Sequence, residues 1–184
     1  MLRGQPRKPR RERKLGRPRR ALSECSDLLV KIGVISDTHN YLDPKVIQFL
    51  ADVGHILHAG DIGLPWLIAE LEAIAPVIAV SGNTDDPGLN YADTRFVELD
   101  GRKFLLHHIV DPLAPVAQMQ ERILSQRPDV IVFGHTHKPF SEKINGVLYF
   151  NPGYAGKSRF GMERTMAILH CDRGGIRPEW IPLE

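Results

Sequence analysis

Five short apolar runs, each followed at once by polar residues, constrain the fold of this chain more than any other feature of its sequence. The runs cover residues 28–36, 55–59, 77–81, 104–106 and 130–133, and the clusters after them are Asp37-Thr38-His39, Gly60-Asp61, Gly82-Asn83, His107-His108 and Gly134-His135-Thr136-His137. Apolar runs of this length, bounded by glycine and proline, are typical of strands that are buried on both faces. We therefore expect the chain to form a buried sheet.

Helical patterns lie between the first of these strands and predict parallel β-α-β units. Asp43 and Pro44 suit an N-cap and a first helical position. The apolar stripe that follows ends at Gly54 and consists of Val46, Ile47, Phe49, Leu50 and Val53. Two further helices are expected over residues 65–74 and near residues 115–126, the latter with Val116, Met119 and Ile123 on its inner face.

The second half of the chain carries signals for antiparallel hairpins. Asp100-Gly101 and Asn145-Gly146 each separate two apolar runs, and such dipeptides favour the primed turns that join antiparallel strands. A last pair of runs covers residues 165–170 and 176–181. The pattern predicts an α/β fold, with two mixed β-sheets packed face to face between helical layers.

The first twenty residues differ from the rest of the chain. They contain ten lysines and arginines and one acid, Glu12, so the segment carries +9 while the whole chain carries +2 and residues 21–184 carry −7. We interpret residues 1–24 as a basic, disordered N-terminal arm and residues 25–184 as one folded domain. The arm could tether an anionic surface or nucleic acid or act as a targeting segment; we favour an unselected tail. The acidic domain is not expected to bind nucleic acid.

Composition also excludes several classes of protein. No apolar run approaches the ~20 residues of a membrane span, and no signal-peptide core follows the basic stretch. The two cysteines, Cys25 and Cys171, are too few for a disulfide framework and match no metal-binding spacing. A reducing cytoplasm is therefore the expected location, with no membrane contact.

The polar clusters together point to a metal site. Ligands of open α/β sheets bind at the carboxyl ends of the strands, so two aspartates, one asparagine and four histidines should converge on one rim. Carboxylate, amide and imidazole groups suit divalent cations. Each cluster alone also fits ordinary turn chemistry, and His58, on its strand, fits a hydrogen-bonded core histidine better than a ligand. The shared position of the five clusters favours metal binding.

Other chemistries find little support. There is no Gly-x-Ser-x-Gly nucleophile elbow. Residues 151–158 nearly match a P-loop, but Asn151 stands where the first glycine belongs. We interpret this segment as a loop that closes the rim, with Lys157 or Arg159 as candidate phosphate contacts.

The order Asp-x-His, Gly-Asp, Gly-Asn-x-Asp, His and Gly-His-x-His resembles that of the calcineurin-like metallophosphoesterases. The resemblance is greatest to their small bacterial and archaeal phosphodiesterase branch, which is related to the vacuolar sorting protein 29 scaffold. It spans about residues 31–170, including Asn151-Pro152-Gly153. It implies a four-layer αββα sandwich, with two mixed β-sheets flanked by helices, that holds two metal ions.

The resemblance also implies roles for individual residues. Its first metal would be held by Asp37, His39 and His137, its second by Asn83, His107 and His135, with Asp61 bridging both. The chain departs from the wider family in two places, because Thr84 replaces a histidine and His107-His108-Ile109 replaces His-Gly-His. The candidates for catalytic roles beyond metal binding are Asn83, His107, Asp85 and His108, and either Asp85 or His108 could protonate the leaving group.

The function implied is hydrolysis of a small phosphoester, with a phosphodiester as the expected substrate, by a hydroxide that bridges two divalent ions. Manganese suits the ligand set, with iron, zinc, nickel and magnesium as alternatives. The alternative function is that of a catalytically inactive scaffold of the same fold that binds other proteins. The sequence leaves open the natural substrate and whether the chain forms a homo-oligomer.

Overall fold

The ten strands of this computed structural model form two mixed sheets of five strands each, over a described region that comprises Met1, residues 29–159 and residues 161–184. Apart from Met1, the predicted arm lies outside the described residues, as does Cys25. The first sheet has the order β10-β9-β1-β2-β3. Its strands are β1 (Val30–Ile35), β2 (His55–His58), β3 (Val77–Ala79), β9 (Thr165–Asp172) and β10 (Gly175–Pro182).

The second sheet has the order β4-β5-β6-β8-β7. Its strands are β4 (Thr94–Leu99), β5 (Arg102–His107), β6 (Val130–Val132), β7 (Phe140–Ile144) and β8 (Val147–Asn151). In each sheet three consecutive neighbours run parallel, namely β1-β2-β3 and β5-β6-β8. The remaining pairs are antiparallel, so both sheets are mixed as predicted.

Both dipeptides that predict primed turns form them. Asp100 and Gly101 have φ angles of 49° and 71°, and Asn145 and Gly146 have φ angles of 51° and 88°. Two successive residues with positive φ match the right-handed twist of the strands that they join. The hairpins β4-β5 and β7-β8 are therefore confirmed.

Three helices cover the outer faces of the sheets: α1 (Pro44–Phe49), α2 (Trp66–Glu72) and α3 (Ala117–Gln126). Residues of α1 and α2, such as Val46 and Leu71, share a cluster with Ile35 of β1, while Met119 of α3 packs with Leu105 of β5. A third cluster fills the space between the sheets, and its members include Ile32, Val34, Leu57, Phe104, Leu106 and Val132. These three cores confirm the predicted four-layer sandwich.

The helices are shorter than their apolar patterns suggest. Helix α1 ends at Phe49, and the side chains of Ile47 and Phe49 are 39% and 40% exposed, so neither belongs to its inner face. The expectation that Val116 lies on the inner face of α3 is also wrong. Val116 is the residue before the first helical turn and is 70% exposed. In the described part of the chain, no helix has the length and apolar character needed to cross a membrane.

Candidate metal centre

The loops after β1 and β2 place two buried aspartates at the same end of the first sheet. Asp37 is 0% exposed and Asp61 is 2% exposed. Because β1 and β2 are parallel neighbours, the loops continue side by side: the Asp37 backbone N–H donates to the Gly60 carbonyl, and the His39 N–H donates to the Asp61 carbonyl at 2.9 Å. The sheet thus fixes both carboxylates before any ligand is considered.

Asp37, His39 and His137 form one group that could hold a cation, with one ligand atom of each within 4.8 Å of the others. His137 Nε2 lies 3.1 Å from Asp37 Oδ1. The Nε2 atoms of His39 and His137 lie 3.5 Å apart. Facing imidazole nitrogens beside a carboxylate oxygen are a suitable ligand set for a divalent transition metal.

A second group comprises Asp37, Asp61 and His108, again with ligand atoms within 4.8 Å of one another. His108 Nε2 lies 3.5 Å from Asp61 Oδ2 and 4.0 Å from Asp37 Oδ1. Asp61 Oδ2 also lies 3.7 Å from His39 Nε2 of the first group. Asp61 therefore stands between the two groups.

Asn83 and His135 lie together beside this second group. Asn83 Oδ1 is 2.9 Å from His135 Nδ1, and the two ring centroids of His135 and His108 are 5.4 Å apart. The His135 backbone N–H donates to Asp37 Oδ2 at 3.1 Å. Six of the seven side chains predicted as metal ligands thus meet at one rim; the exception is His107.

The side chain of His107 turns away from the carboxylates, toward β4. Its Nδ1 lies 2.8 Å from the Asp93 carbonyl oxygen and 2.9 Å from Thr94 Oγ1. Alternation along β5 explains the direction, because Phe104 and Leu106 face the other sheet and His107 takes the opposite side. His108, two positions after Leu106, points toward the other sheet. Strand periodicity alone could have identified His108 as the inward-facing histidine.

The tautomer of His108 suits a metal ligand. Its Nδ1 lies 2.7 Å from the Ala59 carbonyl oxygen. A carbonyl can only accept, so Nδ1 carries the proton and the other ring nitrogen, Nε2, faces Asp37 and Asp61; in the neutral form of the ring, Nε2 holds the lone pair that could bind a cation. Backbone carbonyls commonly orient metal-binding imidazoles in this way.

Unpartnered buried atoms test whether a cation fits here. Asp37 Oδ1 and His108 Nε2 are both buried, and neither makes a hydrogen bond of suitable geometry to a described residue, although His137 Nε2 lies 3.1 Å from Asp37 Oδ1 and Asp61 Oδ2 lies 3.5 Å from His108 Nε2. A buried carboxylate oxygen without a donor is costly, since burial removes its water. A divalent ion would satisfy both atoms at once, so the residues fit a metal centre.

The pKa shifts reflect the same environment. Burial raises the pKa of Asp37 above its ordinary value. Burial also opposes ionisation of Asp61, but the nearby His108 and the Thr84 N–H, which donates to Asp61 Oδ1 at 2.9 Å, lower its pKa well below the usual range. Burial is the main cause of the lowered pKa of His39, so its ring is neutral at pH 7. Neutral imidazole is the form that binds metal.

Much of the site uses left-handed backbone. Its φ angles are positive at Asp37, His39, Asp61, His135 and His137, in the range 46° to 67°. Aspartate and histidine adopt this region more readily than most residues, yet such conformations still cost free energy and concentrate at functional sites. Gly134 adds a close approach, because a Cβ there would lie 2.0 Å from Ser36 Oγ and 2.7 Å from Asp37 Oδ2.

Asp85 has a connecting position. Its Oδ1 accepts from the Gly63 N–H at 2.7 Å and its Oδ2 accepts from the Gly82 N–H at 2.8 Å. Both carboxylate oxygens thus join the loops after β2 and β3. This arrangement fixes the positions of Asn83 and Asp61 relative to each other. Because both carboxylate oxygens of Asp85 accept backbone hydrogen bonds, neither is free to carry a proton to the leaving group.

His58 is fully buried and hydrogen-bonded, as expected of a core histidine. Its Nδ1 accepts from the Gly60 N–H, so its Nε2–H donates to Thr38 Oγ1 at 2.9 Å. Burial lowers its pKa to about 3. His58 supports the loop after β1 and contributes no ligand.

Tyr154 is a residue of the site that the sequence patterns do not reveal. It is 0% exposed, and its ring centroid lies 4.8 Å from that of His137 and 6.0 Å from that of His39. Its hydroxyl donates to the Lys157 carbonyl at 2.9 Å, which closes a tight turn. The only sequence signal was its place in the P-loop-like segment, whose interpretation as a rim loop agrees with this position.

The chain is similar in sequence to known proteins. Residues 30–174 match the family model described as the calcineurin-like phosphoesterase superfamily domain. A probable metallophosphoesterase of Methanothermobacter thermautotrophicus is 38% identical over 148 residues, covering 77% of this chain and 86% of that protein. A phosphodiesterase of Methanocaldococcus jannaschii is 32% identical over 166 residues, covering 80% of this chain and 97% of that protein.

Solved structures agree on the fold. A novel archaeal phosphodiesterase superposes with a TM-score of 0.68 at 30% identity, covering 83% of this chain and 99% of that chain. Wild-type Vps29 of Entamoeba histolytica in complex with zinc gives a TM-score of 0.64 at 18% identity, covering 84% of this chain and 100% of that chain. At that identity the likeness to Vps29 shows the fold alone.

Proposed function

Since the chain belongs to the calcineurin-like phosphoesterase superfamily, we propose that it is a phosphoesterase dependent on two divalent metal ions and that its preferred substrates are phosphodiesters. The observation that carries this proposal is the pair of buried, unpartnered atoms Asp37 Oδ1 and His108 Nε2. Each of these atoms costs free energy in the folded state, and a bound cation would offset that cost.

We assign the ligands from the described geometry. The first ion would be held by Asp37, His39 and His137, and the second by Asn83, His108 and His135, with Asp61 shared between them. His108 thus takes the place in the second site that the family resemblance implied for His107. Manganese suits this mixture of oxygen and nitrogen donors, with iron, zinc, nickel and magnesium as the alternatives to be tested.

The residues of the chain prepare this site for a phosphate. Two divalent ions, when bound, supply a hydroxide nucleophile at neutral pH and positive charge for the phosphoryl oxygens. The lowered pKa of His39 keeps it uncharged, and the amide of Asn83 is neutral, so only Asp37 and Asp61 bring negative charge to the centre. The Thr84 N–H and the two backbone contacts of Asp85 hold this constellation in place. A centre with few carboxylates keeps its attraction for an anionic substrate.

Metal analysis combined with two substrates tests the proposal. The purified protein should contain, or take up, two manganese-type ions per chain. It should then hydrolyse bis(p-nitrophenyl) phosphate faster than p-nitrophenyl phosphate, and chelation should abolish both activities. Protein that binds no metal and is inert toward both esters would contradict the proposal and favour a protein-binding scaffold. Faster hydrolysis of the monoester would contradict only the diester preference. The cytoplasmic location stays a prediction.

A further inference from the structure

One cation close to the centre has no place in the ligand set. The guanidinium carbon of Arg159 lies 5.8 Å from the ring centroid of Tyr154, the residue that packs against His137. The Tyr154 ring centroid also lies 6.0 Å from that of His39. Arg159 therefore stands at the His39 and His137 end of the centre.

The guanidinium is available for a ligand. Among the residues that the structure describes, no carboxylate lies within salt-bridge distance of Arg159. Arg164, five positions later, differs, because it donates to Asp43 Oδ2 at 2.6 Å and to two backbone carbonyls. An arginine without an anionic partner beside a phosphate-binding centre is well suited to contact phosphate oxygens.

Arg159 also borders an open cavity of about 660 Å³. This volume lies in the range of small-molecule sites, roughly 300–1,000 Å³. The other side chains that line it include Ser158, Met162, Glu163 and Glu184. Two carboxylates would repel a second phosphate but can accept hydrogen bonds from hydroxyl groups. The cavity therefore suits an uncharged, hydroxyl-bearing group rather than a polyphosphate.

We propose that Arg159 binds a non-bridging oxygen of the substrate's phosphoryl group, and that the adjacent cavity receives the neutral, hydroxyl-bearing substituent of a phosphodiester, as in a nucleoside ester. The inference rests on the proposed function, since the centre must first hold the phosphoryl group. It also selects between the two candidate contacts. The exposed Lys157 uses its carbonyl to accept from Tyr154 and does not line the cavity.

Steady-state kinetics of Arg159→Ala and Arg159→Lys test the contact. Bis(p-nitrophenyl) phosphate and the p-nitrophenyl ester of thymidine 5′-monophosphate are suitable substrates. The alanine variant should raise KM for both about tenfold, equivalent to about 1.4 kcal/mol, with a smaller change in kcat. The lysine variant should fall between it and the wild type. Arg177→Ala is the matched control, because Arg177 pairs with His170 at the opposite end of the sheet and should behave as wild type.

The Glu163→Ala variant tests the assignment of the cavity. It should raise KM for the thymidine ester and leave KM for bis(p-nitrophenyl) phosphate unchanged, because only the thymidine ester carries a hydroxyl group. Equal effects on both substrates, or no effect on either, would overturn the assignment of the cavity.

Binding of inorganic phosphate to the metal-loaded protein, followed by calorimetry, separates this inference from the proposed function. Arg159→Ala should weaken phosphate binding about tenfold and leave the metal content unchanged. The role of Arg159 is overturned if the wild type hydrolyses both esters and Arg159→Ala has the same KM and phosphate affinity as the wild type. Arg159-dependent phosphate binding without any hydrolysis contradicts the phosphoesterase and keeps the anion contact. Protein that neither binds phosphate nor hydrolyses esters contradicts both.

Discussion

Two adjacent histidines show how one position along a strand decides a ligand. In the sequence, His107 and His108 are neighbours of the same residue type, and both follow the same apolar run. In the structure, their side chains point to opposite faces of the second sheet. His107 contacts the Asp93 carbonyl and Thr94, whereas His108 faces Asp37 and Asp61. The family pattern supplied a histidine at this point of the chain, but only the direction of β5 identifies which of the two faces the centre.

We expect the variants His108→Ala and His107→Ala to behave differently. Loss of His108 should remove one of the two ions. Turnover should then fall by more than the roughly 10–100-fold that is typical when a residue that hydrogen-bonds to a metal ligand is replaced. Loss of His107 should leave the metal content at two. Elemental analysis together with turnover of bis(p-nitrophenyl) phosphate checks both variants, and each serves as control for the other. The reverse result, with metal lost only from His107→Ala, would restore the ligand set expected from the sequence.

The remaining residues of the centre follow a similar logic. Asp37, His39, Asp61, Asn83, His135 and His137 could be placed together from the sequence because parallel strands deliver their following loops to one edge. Tyr154 and Arg159 could not, since they come from a loop whose path depends on the turn closed by the Tyr154 hydroxyl. Residue type and spacing therefore predict the ligands better than the groups around them.

At the scale of single elements, helix α1 shows a residue with two roles, because its N-cap, Asp43, also makes a tertiary contact. Asp43 caps the helix by accepting from the Lys45 N–H at 2.9 Å, as its sequence position predicts. Its other carboxylate oxygen accepts from Arg164 at 2.6 Å, and both side chains are largely buried. Arg164 in turn donates to the carbonyls of Gly156 and Leu183, so the capping residue connects the helix to the rim loop and to the residue that follows β10.

The pH dependence of stability should report on this contact. Burial opposes ionisation of Asp43, but the hydrogen bonds from Arg164 and Lys45 outweigh it and lower the pKa below the ordinary 3.8. A carboxyl with a lowered folded-state pKa stabilises the protein above 3.8, and this stabilisation is lost as pH falls through the lower folded-state pKa.

The comparison is with Asp43→Asn, which keeps a capping oxygen and loses the charge. At pH 7 we expect it to be less stable by about 2 kcal/mol, within the range for hydrogen bonds to charged groups. Urea denaturation between about pH 3 and 7 should show a constant difference above about pH 5 that narrows below pH 3.8. A difference that does not change with pH would contradict the charged contact.

Helix ends were the least predictable feature at this scale. The apolar stripe after Asp43 reads as helical to Gly54, but the helix ends at Phe49 and the next turns pack Leu50 and Val53 without continuing it. An apolar pattern indicates which residues are candidates for the core, but it does not mark the residue at which the helix ends. Strands were easier, because glycine-containing turns mark their ends, as at Asp100-Gly101.

For the molecule as a whole, the two-sheet architecture was predictable and the order of the strands was not. Alternating and hairpin patterns imply mixed sheets, but nothing local states that β9 pairs with β1 or that β6 pairs with β8. These contacts join residues far apart in sequence. The sequence pattern and the family resemblance both predicted the layers, whereas the strand pairing is known only from the structure.

Metal binding should raise the stability of the entire fold, because the ligands come from both sheets and are brought together only in the folded state. With free manganese at a hundredfold excess over its Kd, the expected gain is about 2.7 kcal/mol per ion. For a domain of this size, that corresponds to a rise in Tm of about 5–10 °C. Calorimetry with and without chelator measures the change in Tm. The His108→Ala variant is the control, and its Tm should rise less when the metal is added. An unchanged Tm with each of the candidate metals would contradict the centre.

Deleting residues 1–24 should leave kcat/KM unchanged at 0.15 M salt. The residues assigned to the centre lie between positions 37 and 137, so the deletion removes none of them. At this ionic strength the Debye length is about 8 Å, so the attraction that exposed charges exert on a distant anionic substrate is largely screened. The deletion removes a net charge of +8, because residues 1–24 contain ten basic residues, Glu12 and Glu24, and it makes the chain acidic. A fall in kcat/KM confined to low salt would therefore reflect weaker attraction of an anionic ester. A large fall in kcat at 0.15 M would show that the arm participates in the site.

The left-handed backbone at Asp37, His39, Asp61, His135 and His137 restricts how this protein could be made more heat-resistant. Glycine would relieve the local strain at any of these five positions, but it would delete the very side chain that a cation requires. Improvements selected for thermal tolerance must therefore accumulate away from the rim, in the sheet interface and the outer helices. Variants recovered from such a selection that do carry glycine here should be stable and inert.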